Sequence, residues 1–191
     1  DAAHVAVPTG GLGNNTGFAG IRNLAWKLAF VLKGLSPPSI LDTYQEEHKP
    51  LALARIDVGV TITAAMIPMM FKATAGEDIE TDIHNTRYYG NYDGALMGFE
   101  LKSDLIATED APAPAGDDSI SDFVPIARCG RRAPHVWIDE AESVSILDGF
   151  GHGYSLVVGA DVDAKPWVDG ADQLAGRGLP ISTQLLPAMP G

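Results

Sequence analysis

The sequence predicts an α/β protein in two parts, a helical first part followed by a small β-α-β unit. Three observations carry that expectation. Apolar residues recur at three- and four-residue steps from Phe18 to Leu32, the spacing of one helical face. Residues 111–118 read Ala-Pro-Ala-Pro-Ala-Gly-Asp-Asp, a linker by composition. Beyond them, two apolar runs flank a helical pattern, the order of a parallel β-α-β unit. The expected organisation is therefore residues 1–110, a linker at 111–118, and a second domain over 119–191.

The chain opens on a glycine-rich turn, Pro8-Thr9-Gly10-Gly11-Leu12-Gly13-Asn14-Asn15-Thr16-Gly17. A helix is expected over 17–33. Phe18, Ile21, Leu24, Ala25, Leu28, Val31 and Leu32 form its apolar face, read as the side turned to the core, with Arg22 and Lys33 outside. Gly34 is its natural stop. Ser36 and Pro37 read as the cap and first residue of a second helix. That helix runs from Ile40 to about Lys49, with Glu46, Glu47, His48 and Lys49 on exposed positions. Pro50 is expected to kink it or divide it from a third helix reaching Lys72, which Gly76 closes. Arg87 to Tyr92 reads as an aromatic strand and Gly94 to Phe99 as a weaker one. After the linker, Arg131 to Ile138 is expected to be extended and Ser145 to Phe150 a short helix or turn. A buried strand at Tyr154–Gly159, a helix at Pro166–Leu174 and a strand at Ile181–Leu186 complete the chain.

Composition narrows the function. The 191 residues carry 25 acidic and 13 basic side chains, a formal charge of −12, which repels phosphate backbones and argues against nucleic acid. The single cysteine, Cys129, excludes an intramolecular disulfide and a multi-Cys metal cluster and fits a reducing cytoplasm. Cys129 reads as a buried or half-buried structural thiol rather than a nucleophile. The five histidines lie at 4, 48, 84, 135 and 152 without ligand spacing, so no metal is expected. His4 reads as a packing residue. The uncharged apolar run from Val58 to Phe71 is too short for a bilayer span of roughly 20 residues, so no membrane partner is expected. An oligomer of identical chains stays open.

The candidate chemistry sits in the N-terminal turn. Three glycines within four positions, Gly10, Gly11 and Gly13, let a backbone approach a ligand closely. Asn14, Asn15 and Thr16 are expected to cap the helix that follows, and amides at a helix start make a seat for an anion. A tight structural turn before a core helix fits the composition equally well. The spacing matches neither GxGxxG nor GxxxxGK[ST]. Tyr88, Tyr89 and Tyr92 are candidates to line an aromatic pocket, with a half-packed strand as the equal alternative.

Several segments resemble, in order, the second flavin motif and following sequence of FAD-dependent aromatic hydroxylases. Those are single-component flavoprotein monooxygenases, phenol 2-monooxygenase-like and polyketide-tailoring enzymes among them. The segments are Asp1-Ala2-Ala3-His4, the turn from Pro8 to Gly17, Asn23-Leu24-Ala25-Trp26-Lys27-Leu28, Leu41 to Pro50, and Gly130 to Trp137. The resemblance covers most of the chain. It implies that Asp1 accepts a hydrogen bond from a ribityl hydroxyl, that Pro8 lies beside the isoalloxazine ring, and that the turn at Gly11, Gly13, Asn14 and Asn15 faces the pyrimidine edge. It implies FAD as cofactor, NAD(P)H as co-substrate and hydroxylation of a phenolic or polyketide ring with O2. The second domain resembles the family's thioredoxin-like C-terminal domain but has no CxxC pair.

Family members usually carry an acidic residue where this chain has Gly20. The resemblance also implies that the dinucleotide-binding βαβ, most of the substrate sheet and the end of the thioredoxin-like domain lie outside these residues. The chain thus reads as the C-terminal portion of a longer enzyme, partnered by its missing N-terminal part. The alternative is a non-redox binding or assembly module, or a cyclase, that reuses the scaffold.

Overall fold

A computed structural model describes residues 2–86, 91–108 and 120–187. The chain divides into two compact units. One comprises Asp1–Ala29 with Pro38–Arg132, the other Phe30–Pro37 with Ala133–Gly191. Residues 111–118 lie outside the described residues, and 120–132 belong with the first unit.

In the first unit, a 3-10 turn at Thr9–Gly11 leads directly into α1, Leu12–Leu32. The helix starts five residues before the expected position 17. Gly10 and Gly11 adopt left-handed φ values of 78° and 65°, which turn the chain into the helix and which side chains disfavour. Asn14, Asn15 and Thr16 consequently lie inside the first turns and do not cap them. Thr16 Oγ1 donates back to the Leu12 carbonyl at 2.7 Å, and Asn15 Nδ2 to the Gly11 carbonyl at 3.1 Å. The end is as expected: Gly34 takes φ 70°, and the Leu35 amide reaches back to the Phe30 carbonyl at 2.8 Å.

The expected inner face of α1 is only partly packed, although Arg22 and Lys33 are exposed as expected. Phe18 is 69 % exposed, Ile21 66 % and Leu32 85 %, while Leu24 and Val31 are half-buried. The buried positions are Leu12, Thr16, Gly20, Asn23, Lys27 and Phe30, which also follow three- and four-residue steps. A polar stripe is inside because its groups find partners on the next helix.

That helix, α2, runs unbroken from Asp42 to Thr74, with Pro50 and Pro68 inside it, after a 3-10 turn at Pro38–Leu41. The expected division at Pro50 does not occur. Pro50 lies on the exposed side, where it removes one helix hydrogen bond. Thr43, Glu47, His48, Leu51, Ala52, Arg55, Gly59 and Ile62 form a continuous buried stripe past it, and packing of such a stripe supplies most helix stability. Gly76, at φ 74°, closes the helix. Pro38–Thr74 is long and apolar enough to cross a bilayer by length and composition, so the shortness of the Val58–Phe71 run does not decide that matter. Met70 and Phe71 near the end of α2 are exposed.

Two short helices follow, α3 at Glu80–Thr86 and α4 at Asp93–Met97. The second replaces the strand expected over Gly94–Phe99. Arg55 from α2 anchors it, donating from Nε to the Ala95 carbonyl at 3.2 Å and from Nη2 to the Leu96 carbonyl at 2.7 Å. Those carbonyls lie at a helix C-terminus, where a cation is favourable. Residues 87–90, with Tyr88 and Tyr89, lie outside the described residues; Tyr92 is half-buried and not in a strand.

In the second unit, β1 (Tyr154–Val158) and β2 (Ile181–Leu185) pair in parallel from Tyr154↔Ile181 to Val158↔Leu185. They are joined through α5, Lys165–Gly176, as the β-α-β expectation requires. Only Val158 of β1 is fully buried. Ser145 opens a 3-10 turn at Ile146–Gly149 with a capping box: its hydroxyl accepts from the Leu147 amide, and Asp148 accepts from the Ser145 amide at 2.8 Å. Of the expected extended segment 131–138, Trp137 forms a bridge with Ser145.

Candidate functional site

The glycine turn is held from three sides within the first unit. Thr63 of α2 donates to the Thr9 hydroxyl at 2.8 Å. Gly59 of α2 allows close approach: a Cβ there would lie 3.0 Å from Val7 Cγ2. The N-terminal segment lies along the start of α1, where a Cβ on Gly13 would meet Ala6 at 3.6 Å. His4 Nε2 donates to the Gly13 carbonyl at 3.4 Å.

Pro8, Gly11, Asn14 and Asn15 are exposed around the start of α1, with Gly13 half-buried against the N-terminal segment. Around Gly11 there is open space on the side where a Cβ would project. A helix start leaves amides without intrahelical acceptors; here the 3-10 turn takes up that of Gly11, which donates to the Pro8 carbonyl at 3.2 Å. Asp1 lies outside the described residues.

Between α1 and α2 is a buried polar seam that the sequence reading missed. Glu47 of α2 is 5 % exposed and Lys27 of α1 fully buried. Lys27 Nζ donates to Glu47 Oε2 at 2.8 Å, Asn23 Nδ2 to the same oxygen at 2.6 Å, and Ser103 Oγ to Oε1 at 2.6 Å. Burial pushes the Glu47 carboxyl up, but the hydrogen bonds from Lys27, Ser103 and Asn23, with the Lys27 charge, outweigh it and hold it below the ordinary 4.5. The expectation that Glu47 and His48 are exposed is corrected, because both lie on the packed stripe of α2. A usable signal was present: Asn23 and Lys27 stand four apart, in register with Thr16 and Gly20.

His48 is 4 % exposed. It stacks on Tyr44 with ring centres 5.2 Å apart and meets His4 edge-on at 5.5 Å. His4 is therefore a packing residue that also ties the N-terminal segment down. Cys129 is exposed, contrary to the expected buried or half-buried thiol. Among the described residues no group of three His, Cys, Asp or Glu side chains gathers for a metal.

Residues 1–58 match the FAD binding domain family. The chain is 32 % identical over 185 residues to a tetracenomycin A2 monooxygenase-dioxygenase of Streptomyces glaucescens, covering 95 % of this chain and 29 % of that protein. It is 34 % identical to the aklavinone 12-hydroxylase RdmE of Streptomyces purpurascens, covering 95 % of this chain and 31 % of the relative. Among solved structures it is similar to the rebeccamycin biosynthetic enzyme RebC with reduced flavin. The TM-score is 0.77 and the identity 29 %, over 97 % of this chain and 36 % of that one. A ternary complex of aklavinone-11 hydroxylase with FAD and aklavinone gives a TM-score of 0.70 at 30 % identity, over 95 % of this chain and 31 % of the other. These likenesses place the chain: residues 1–58 belong to the FAD binding domain family, and the chain as a whole is similar to a stretch of FAD-dependent aromatic and polyketide monooxygenases, of whose length it spans about a third.

Proposed function

We propose that the chain supplies the flavin-facing turn of a monooxygenase that hydroxylates a phenolic or polyketide aromatic ring with NAD(P)H and O2. One observation carries this reading: Gly10 and Gly11 both take left-handed φ in a turn at the start of a 21-residue helix. The residues present fit an anionic, planar group. The turn offers backbone rather than side-chain bulk at Gly11 and Gly13, two exposed carboxamides at Asn14 and Asn15, and a flat proline ring at Pro8. In this reading Asp1, Pro8, Gly11, Gly13, Asn14 and Asn15 hold FAD.

When bound, the flavin supplies the redox chemistry and oxygen activation. The chain's own contribution is positioning and charge. Partial positive charge at the start of α1 favours negative charge on the facing ring edge. Thr63 and Gly59 hold that helix start where it is, and the Lys27–Glu47 seam ties the body of α1 to α2. The second unit, with its parallel β-α-β order and without a CxxC pair, fits a thioredoxin-like domain with an architectural role. We read the protein as cytoplasmic from its cysteine content and without a nucleic-acid partner from its charge, with an aromatic small-molecule substrate like those its relatives are named for.

The test is Asp1→Ala within the full-length enzyme. Loss of a charge-assisted hydrogen bond should weaken FAD retention by about 1–3 kcal/mol, measured as the dissociation constant by flavin fluorescence. Unchanged affinity would remove Asp1 from the site.

A further inference from the structure

We propose that His48 is a positioning residue for the glycine turn: seated uncharged in the notch that Gly20 leaves on α1, it braces His4 and thereby the N-terminal segment against the start of that helix. The notch is a steric fact. A Cβ on Gly20 would lie 2.8 Å from both Cε1 and Nε2 of His48 and 3.1 Å from the Tyr44 hydroxyl. No real Cβ tolerates the first two contacts, so a side chain at residue 20 and the His48 ring compete for one volume. An acidic side chain at residue 20 and His48 in this pose are mutually exclusive.

The ring has been placed for shape rather than for hydrogen bonding. Both of its nitrogens are buried without a hydrogen-bond partner among the described residues. Tyr44 covers one face with an interplanar angle of 15°, and His4 abuts it at 63°. His4 then reaches the Gly13 carbonyl in the first turn of α1. The chain of contact is short: Gly20 and Tyr44 hold His48, His48 holds His4, and His4 holds the segment beside the turn.

Such a brace works only in one charge state. An imidazolium carries two N–H donors and no acceptor, and here neither donor has anywhere to go. The titratable or charged groups facing the ring are His4 from the N-terminal segment and Tyr44 and Arg55 from α2 itself; α1 presents Gly20 there. None is a carboxylate, and the neighbouring Glu47 is already bound by Lys27, Asn23 and Ser103. Burial first, then the charges of His4 and Arg55, push His48 below its ordinary 6.5. Below that pH the unfolded or locally opened state binds a proton that the closed state refuses, so acid favours opening of the turn.

The link to the cofactor rests on the flavin reading above; the brace itself does not. Hydrogen exchange of residues 2–16 in the 191-residue chain, corrected for intrinsic exchange, follows the turn without any flavin. Between pH 7.5 and 5.0, opening should rise below about 6.5 with a slope approaching tenfold per pH unit, the signature of one proton. His48→Phe keeps a flat ring without a proton to gain and should give a flat profile; His48→Ala should be open at every pH. Proton NMR of the imidazoles in the unmodified chain covers the case in which a variant fails to fold. The opening midpoint must then coincide with the titration of His48. A flat profile in the unmodified chain, an unchanged slope in folded His48→Phe, or a midpoint that follows His4 instead overturns the proposal. Retention of FAD by the full-length enzyme is read separately. Failure to bind flavin at any pH, with His48-dependent opening intact, upholds the brace and sinks the flavin reading alone.

Discussion

Removing the carboxylate of Glu47 should be among the most damaging single changes in the first unit. Glu47 collects hydrogen bonds from Asn23, Lys27 and Ser103 at 2.6, 2.8 and 2.6 Å, and Lys27 is wholly buried beside it. Glu47→Leu strands a buried ammonium, which costs about 3–5 kcal/mol. Lys27→Met should cost less, about 1.5–3 kcal/mol, because Glu47 keeps two donors and loses one charge-assisted bond. The double variant removes both charges and leaves only Asn23 and Ser103 without their acceptor. It should therefore lose about 1–3 kcal/mol, less than Glu47→Leu alone. Urea melts of the four proteins close the cycle. Additivity of the two single losses within about 0.5 kcal/mol, the range expected of independent sites, would show that the seam is not an energetic unit. α1 would then be held to α2 by other means.

The same seam sets an acid limit. Glu47 is held below 4.5 in the folded chain, so its contribution is full above that pH and fades as pH falls through the lowered value, below the window in which His48 acts; a stability profile independent of Glu47→Gln between pH 5 and 3 would refute this. Leu12, 1 % exposed, should lose about 2–5 kcal/mol on Leu12→Ala, whereas Ile21→Ala on the open face should stay within about 0.5 kcal/mol; equal denaturation midpoints would mean the faces are misassigned. Gly20→Ala should destabilise by about 1–3 kcal/mol through overpacking, and the loss should shrink in a His48→Ala background. The 191-residue chain on its own should elute colourless, since its turn meets only one side of a flavin; a stoichiometric yellow complex would contradict that.

How far the residues alone could be read depends on what a pattern encodes. The spacing from Phe18 to Leu32 announces a helix, and the helix is there. Periodicity says which residues share a side; it does not say which side this chain covers. Phe18, Ile21 and Leu32 are open, while Asn23 and Lys27 are inside because α2 brings Glu47 to meet them. A polar residue is read as exposed until its partner is known, and that partner lies 20 to 24 positions away. Strand and helix in the second unit were legible for the opposite reason: short apolar runs and the helix between them are local. Gly94–Phe99 misled because the chain there is set by Arg55, some 40 residues distant, which takes up the carbonyls of a single helical turn.

The turn itself was legible because glycine is informative where φ must be positive, and Gly10 and Gly11 are such positions. Gly20 is a different kind of glycine. It has helical neighbours on both sides, and nothing in its local sequence explains the absence of a side chain; set beside the family it looks like a lost contact. Its meaning lies across the helix interface, where the ring of His48 fills the place a Cβ would occupy. The bare Gly20 and the buried imidazole are two halves of one arrangement. The packed ring in place of a side chain at residue 20 gives the N-terminal segment an anchor whose strength depends on pH.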